Sequence, residues 1–167
     1  MNVLAVAIKT LLDADTGAGG VAALVGTDGD GLKQIYHAKA SPKAVPPYVI
    51  FREPLDTPLY TYGPTVSGDH VFYAIQAFAA DSPTASGTSM AGSLADRIRT
   101  LLLSPALTVS GKSVRYCAPL QIMNPTEEWD DINSRWIYGR GWLVEMWVAD
   151  TVLQITTESE VILEADV

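Results

Sequence analysis

HVFYAIQAFAADSPTASGTSMAGSLADRIRTLLL, residues His70 to Leu103, decides the fold of this chain. Its first part, His70 to Ala80, alternates along a strand, but both faces are apolar: Val71, Tyr73, Ile75 and Ala77 against Phe72, Ala74 and Phe78. Such a strand is either central in its sheet or covered by a partner. Ser82-Pro83 then predicts a helix start, with the proline in the first turn. Met90, Leu94, Ile98, Leu101 and Leu102 recur at helical spacing, and Ala91 and Ala95 let the helix lie close to a sheet. Asp96, Arg97 and Arg99 are expected to point away, and Ser104-Pro105 stops the helix.

Working outward, the apolar positions Val3, Leu4, Ala7, Ile8, Leu11 and Leu12 predict an N-terminal helix over 3–12, and Val21 to Val25 a short second one. A strand is possible at Leu32 to Tyr36 and clear at Tyr48 to Arg52, entered through Pro46-Pro47. Residues 55–69, rich in turn formers and tyrosine, read as a long extended arm. A short strand at Leu107 to Val109 precedes a longer one over Ser113 to Met123. NPTEEWDDINS (124–134) reads as an acidic loop, and Arg135 to Val148 as the longest strand. Gly139 and Gly141, two apart on one face, mark a bulge or a close backbone approach. The last stretch, TVLQITTESEVILEADV, alternates enough for another strand, on the sheet edge or on a neighbouring subunit. The fold class is therefore α/β (α+β): a mostly antiparallel sheet with an N-terminal helix and one long central helix packed on one face.

The chain of 167 residues suits one domain with a real core. Hydrophobic residues make up 48% and charged residues 18%, with a mean hydropathy of +0.16. Either a well-filled core or apolar surface covered by other subunits accounts for this. A net charge of −8 argues against gripping nucleic acid, which needs a basic patch. It suits a surface past which DNA slides, and equally a merely soluble one. The single cysteine, Cys117, permits no intrachain disulfide and reads as a small buried hydrophobe. The N-terminus lacks a basic segment ahead of its apolar run, and Lys9 interrupts that run, so a cytoplasmic product is expected.

Several motifs tempt. Gly87-Thr88-Ser89-Met90-Ala91 has the look of a subtilisin-like nucleophile, with Asp15-Thr16-Gly17 and His70 in a compatible order. Gly92-Ser93 replaces the expected proline, His70 lacks the following Gly-Thr, and the chain is too short. A small serine hydrolase using Ser89 is therefore only a remote alternative. Gly111-Lys112-Ser113 lacks the opening glycine of a phosphate loop, and Leu32 stands where an EF-hand needs an oxygen ligand after Asp28 and Asp30. Neither His37, placed in a loop, nor His70 has a second ligand at metal spacing. No cofactor and no metal are expected. The acidic cluster Glu127, Glu128, Asp130 and Asp131 reads as a solvated loop. With Trp129 in their middle, Glu127, Glu128, Asp130 and Asp131 are nonetheless candidate partner contacts, as are Tyr60 and Tyr62 on the arm.

The N-terminal helix followed by Ala23-Leu24-Val25-Gly26, then Pro47-Tyr48-Val49, the strand-turn-helix around Ala80-Asp81-Ser82 and Leu94-Ala95-Asp96-Arg97-Ile98, and a closing aromatic strand occur in a telling order. This order resembles the tail-completion or tail-terminator proteins of long-tailed bacteriophages. The likeness covers residues 3–149, giving a 1–149 domain and a 150–167 extension. The resemblance implies a non-enzymatic virion protein, assembled in the bacterial host cytoplasm. It would form a homo-oligomer, a hexameric ring at the head-proximal end of the tail. Its partners would be the tail tube protein and the head-tail connector, with DNA passing through the lumen unbound and no membrane involved. The alternative is a head-tail connector or a tail-tube subunit.

Overall fold

The computed structural model describes residues 3–53, 68–103, 107 and 109–150. Along the chain run α1 (Val3–Ala14), α2 (Val21–Val25), β1 (Ile35–His37), β2 (Tyr48–Arg52), β3 (Gly68–Ala80), α3 (Gly87–Leu103), β4 (Lys112–Ile122), β5 (Thr126–Asp130) and β6 (Arg135–Asp150). The strands form one six-stranded sheet in the order β1-β2-β3-β6-β4, with β5 also paired to β6. Among the described residues only β1 and β2 are parallel, and every other strand pairing is antiparallel. The expected class holds: a mixed, mostly antiparallel sheet with an N-terminal helix and a long central one.

β3 occupies the centre, between β2 and β6. Its odd-numbered side chains, Tyr73, Ile75, Ala77 and Ala79, are fully buried, as are Val49 and Phe51 of β2 and Val144 and Met146 of β6. Against this face pack Leu4, Ile8 and Leu12 of α1, Val21 and Val25 of α2, and Leu94, Ile98 and Leu102 of α3. A period of two on the strands meets a period of 3.6 on the helices, and both stripes vanish into one core. The opposite face carries Tyr48, Ile50, His70, Phe72, Phe78, Leu143 and Glu145, all half-buried, and the more exposed Trp147. Among the described residues no helix packs there. Tyr48 stacks on Phe78 at 5.0 Å, and His70 lies 5.0 Å from Trp147 while its Nε2 meets the Glu145 carboxylate at 2.5 Å.

Two polar fixtures hold the helical layer. Asp15 accepts from the Val21 amide at 2.8 Å and from Arg97 Nη2 and Nε at 2.6 and 2.9 Å, tying the entry to α2 onto α3. The Arg97 hydrogen bond keeps the Asp15 carboxyl below the usual carboxylate range. Gln34, nearly fully buried, donates to the Val25 and Pro47 carbonyls and accepts the Val45 amide, so its side-chain oxygen and nitrogen are both used where three segments cross.

The boundaries depart from expectation in instructive places. α3 begins at Gly87, not at Ser82-Pro83. Ser82 and Ala85 instead close a turn on themselves, with the Ala85 amide 3.0 Å from Ser82 Oγ, and Asp81 then accepts the Gly87 amide at 2.8 Å. A side chain at Gly87 would come within 2.8 Å of Ala80 and Asp81 backbone and the Tyr138 ring, so the helix can only start this close to the sheet on a glycine. β1 starts at Ile35, leaving Leu32 exposed in the Asp28 turn, and it includes His37, which lies 5.3 Å from Phe51 rather than in a loop. Val109 makes an isolated bridge to Lys112, while Thr108, in the middle of the strand expected over Leu107 to Val109, lies outside the described residues. Arg97 and Arg99 are exposed as expected, yet both are engaged, Arg99 over the Trp142 ring at 5.1 Å. The arm at 55–69 falls outside the described residues except for Gly68 and Asp69, which belong to β3.

Candidate interaction surface at the hairpin tip

The largest correction concerns residues 124–134. They are not a loop, because Thr126–Asp130 form β5, paired residue for residue with Gly139 back to Arg135. β4 and β5 run in line along the same edge of β6, and the Met123 amide still reaches the Gly141 carbonyl at 2.9 Å between them. One long two-stranded hairpin results. β3 stops pairing with β6 at Ile137, so the last residues of the hairpin extend past the central strand.

Alternation sorts the side chains at this tip. Trp129 and Trp136 are directly opposite and form an edge-on pair with centroids 5.3 Å apart. They share a face with Glu127 and Tyr138, whose hydroxyl donates to Asp81 at 3.1 Å. This is the side on which α3 lies, but the tip is beyond the helix start, so the tryptophans remain 44% and 45% exposed. Glu128 and Asp130 lie on the other face. Burial first, then the charges of Glu128 and Asp130, raise the Tyr48 hydroxyl above its usual range there. Ile132 sits in the turn at 93% exposed. The turn is held by Asp130, which accepts from the Asn133 side chain at 2.8 Å, its amide at 3.2 Å and Arg135 Nε at 3.3 Å. These bonds, that from the Asn133 side chain foremost, lower the Asp130 pKa. Ser134 takes a left-handed conformation with φ 49° to close the turn.

Of the residues singled out from the sequence, Glu127, Glu128, Trp129 and Asp131 are exposed together on this hairpin, while Asp130 is half-buried and committed to the turn. Tyr60 and Tyr62 lie outside the described residues. Sequence reasoning missed Trp136 and Ile132 as parts of the same surface. The signal for Trp136 was its pairing with Trp129, invisible until β5 is recognised as a strand. An exposed aromatic pair, an exposed isoleucine and a rim of carboxylates suit recognition of another protein, with aromatic anchors inside a polar rim.

Catalytic geometry is absent from the one arrangement that resembled it. His70 projects from the helix-free face of the sheet and is bound to Glu145, whereas Asp15 and the exposed Ser89 belong to the helical layer on the other side. The three cannot meet. The Asp28-to-Leu32 turn is likewise self-contained. Asp28 accepts the Asp30 and Leu32 amides and the Tyr36 hydroxyl, and Asp30 pairs with Lys43 at 2.6 Å. Desolvation and the Asp28 carboxylate push the Tyr36 hydroxyl up to about 12. Among the described residues no three His, Cys, Asp or Glu side chains group to hold a metal, and no helix is long and apolar enough to cross a membrane.

The sequence of residues 6–128 matches the family described as tail completion protein gp17. The chain belongs to that family. It is thus a structural protein of a phage tail and a component of the virion. A solved chain from "Virion of native gene transfer agent (GTA) particle" shares the fold of this tail completion protein. The TM-score is 0.55 and the identity 18%, over 87% of this chain and 94% of that one. No curated protein sequence matches it.

Proposed function

We propose that this tail completion protein closes the head-proximal end of the tail tube as a homohexameric ring, ending tube polymerisation and presenting the joint to the head connector. Family membership over residues 6–128 carries the reading. The physical arrangement supports it. A ring cap needs two complementary patches for its neighbours and two further faces for tube and connector. The helix-free sheet face, with Ile50, Phe72, Phe78 and Leu143 half-buried, offers apolar area beyond what the core requires. The hairpin tip offers a separate surface on a rigid scaffold, which can change partner without disturbing the core. Glu127, Glu128, Trp129 and Asp131 are the proposed contacts to tube or connector. With a net charge of −8 the chain would let DNA pass through the lumen without binding it.

Native mass spectrometry with negative-stain imaging tests this reading. The expected species has six times the 17.9 kDa mass of one chain, roughly 107 kDa, and appears as a ring with a central hole. Open tubes of indefinite length would instead mark a tail-tube subunit. A dimer with esterase activity would overturn the structural reading altogether.

A further inference from the structure

We infer that the outer stripe of α1 packs on the helix-free sheet face of a second copy of this chain, so that each sheet gains its missing helical layer from a neighbour. This contact rests on the ring proposed above and supplies its two complementary patches. α1 has two apolar stripes and the sheet two apolar faces, but the chain itself uses one of each. Leu4, Ile8 and Leu12 enter the core, whereas Val3 and Val6 remain 49% and 47% exposed. Val6 is two residues from both Leu4 and Ile8, roughly 160° round the helix from each, so the spare stripe faces away from the sheet. With Ala7, Leu11 and Ser110 the valines line an open groove of about 390 Å³. The outer side of α3 is different, since Ser93, Asp96, Arg97 and Thr100 are exposed there.

The sheet face is the other half. Ile50, Phe72, Phe78 and Leu143 are half-buried there with no helix over them among the described residues, and Trp147 stands out at 49% exposed. β2, β3, β6 and β4 lie about 4.8 Å apart and the central strand runs about 40 Å, so the face measures roughly 600–700 Å². A stable interface buries about 800 Å² per partner, and the face supplies most of that. The contact buries no unpaired charge. The groove residues of α1 are uncharged, and His70 and Glu145 on the sheet face are already bonded to each other. Trp147 is the anchor, an indole ring for the valine-lined groove. The two patches lie on opposite sides of the sheet and cannot meet within one chain. Their contact joins copies head to tail, the kind of interface that closes into a ring when the rotation between copies allows it.

Cross-linking between two kinds of full-length chain tests the contact. In a Cys117→Ala background, one chain carries Val6→Cys. The other, longer by a tag, carries Gln121→Cys, an exposed position paired with Leu143 on the sheet face. A short bis-maleimide should join the two kinds of chain when they are co-expressed, and should join neither kind to itself. Links within one kind alone would show an isologous contact and overturn the inference. So would the absence of mixed links; if native mass spectrometry shows that sample to be hexameric, the ring stands on other patches. Mixed links in open fibres without rings would uphold the contact and overturn the ring. Val6→Glu and Trp147→Ala, both at half-exposed positions, check the contact without cysteines. Each should weaken self-association at least about tenfold while the unfolding midpoint stays nearly unchanged. Self-association unaltered in both variants overturns the inference.

Discussion

Trp142 and Trp136 lie on the same strand and the same face, yet they have different fates. Trp142 packs against the core with Arg99 over its ring, while Trp136 has Trp129 as its aromatic partner and stays 45% exposed. The difference is set by α3, which begins beside Tyr138 and leaves everything further out along β6 without a helix. Strand alternation tells which way a side chain points. Whether anything covers it depends on where a distant element starts.

The sharpest test of the contrast compares truncations at its two ends. Met146, fully buried in the inner half of β6, should cost about 2–5 kcal/mol as Met146→Ala, because the removed atoms leave a cavity among α3, β3 and β4 side chains. Trp136→Ala should cost well under half as much in the same urea titration. Equal losses would mean that the tip is packed as tightly as the core, and would break the comparison.

Gly141 sits where the two halves join. A methyl there would stand 2.2 Å from the Ile75 carbonyl oxygen and 2.8 Å from Gln76 Cα, both backbone, so β3 and β6 must move apart. Gly139→Ala meets a tight contact as well, but with the Thr126 and Phe78 side chains, which can turn. Gly141→Ala is expected to lose about 1–3 kcal/mol and Gly139→Ala less, both read as unfolding midpoints. The reverse order would show that the outer pairing, not the inner, is the rigid one.

These glycines also show how far the sequence can be read. Their spacing on one face signalled either a bulge or a close approach. The approach is the correct reading, since β3 and β6 stay in unbroken register through both positions. The irregularities fall in β4 instead, between Val114 and Tyr116, where nothing in the residue pattern announces one, and between Pro119 and Gln121, where a proline inside the strand does. β2, α1 and the core stripe of α3 were legible because each has apolar residues at the period of its element. β5 was not. Glu127, Glu128 and Asp130 disfavour strands, and four of its five residues are exposed, so no alternation is left to detect. It is a strand because β6 offers it a free edge. The candidate surface was therefore half legible: Trp129 was conspicuous, while the partner that makes it a surface was hidden by the same missing strand.

If the aromatic pair is a contact rather than a structural fixture, stability and binding must separate. A double-mutant cycle of Trp129→Ala and Trp136→Ala should give a coupling of about 0.5–1.5 kcal/mol, the usual worth of an edge-on pair. Binding of the assembled protein to isolated tail tubes should fall by roughly tenfold or more for either variant. Intact binding with the expected coupling would reduce the tip to a hairpin lock. Cys117 provides a quiet control from the inner half. Burial pushes its thiol up to about 11, so alkylation at pH 8 should be slow in the native protein and rise in urea.

The smallest effect concerns acid, and it separates the two halves without any mutation. Asp130 holds the turn through Asn133 and Arg135, and its pKa is lowered from 3.8. A depressed carboxylate contributes stability that is fully present above its unfolded value and lost as pH falls through the folded one. The turn should therefore be unchanged from neutral pH down to about 4 and loosen only below that. Inner-half β6 amides, such as those of Val144 and Met146, should keep their hydrogen-exchange protection in a pH range where Asn133 and Ser134 amide shifts already move. Asp130→Asn keeps much of the geometry but removes the charge, and should flatten that shift. If the tip instead titrates near neutral pH, a group other than Asp130 governs it, and the turn is not held in the way the hydrogen bonds indicate.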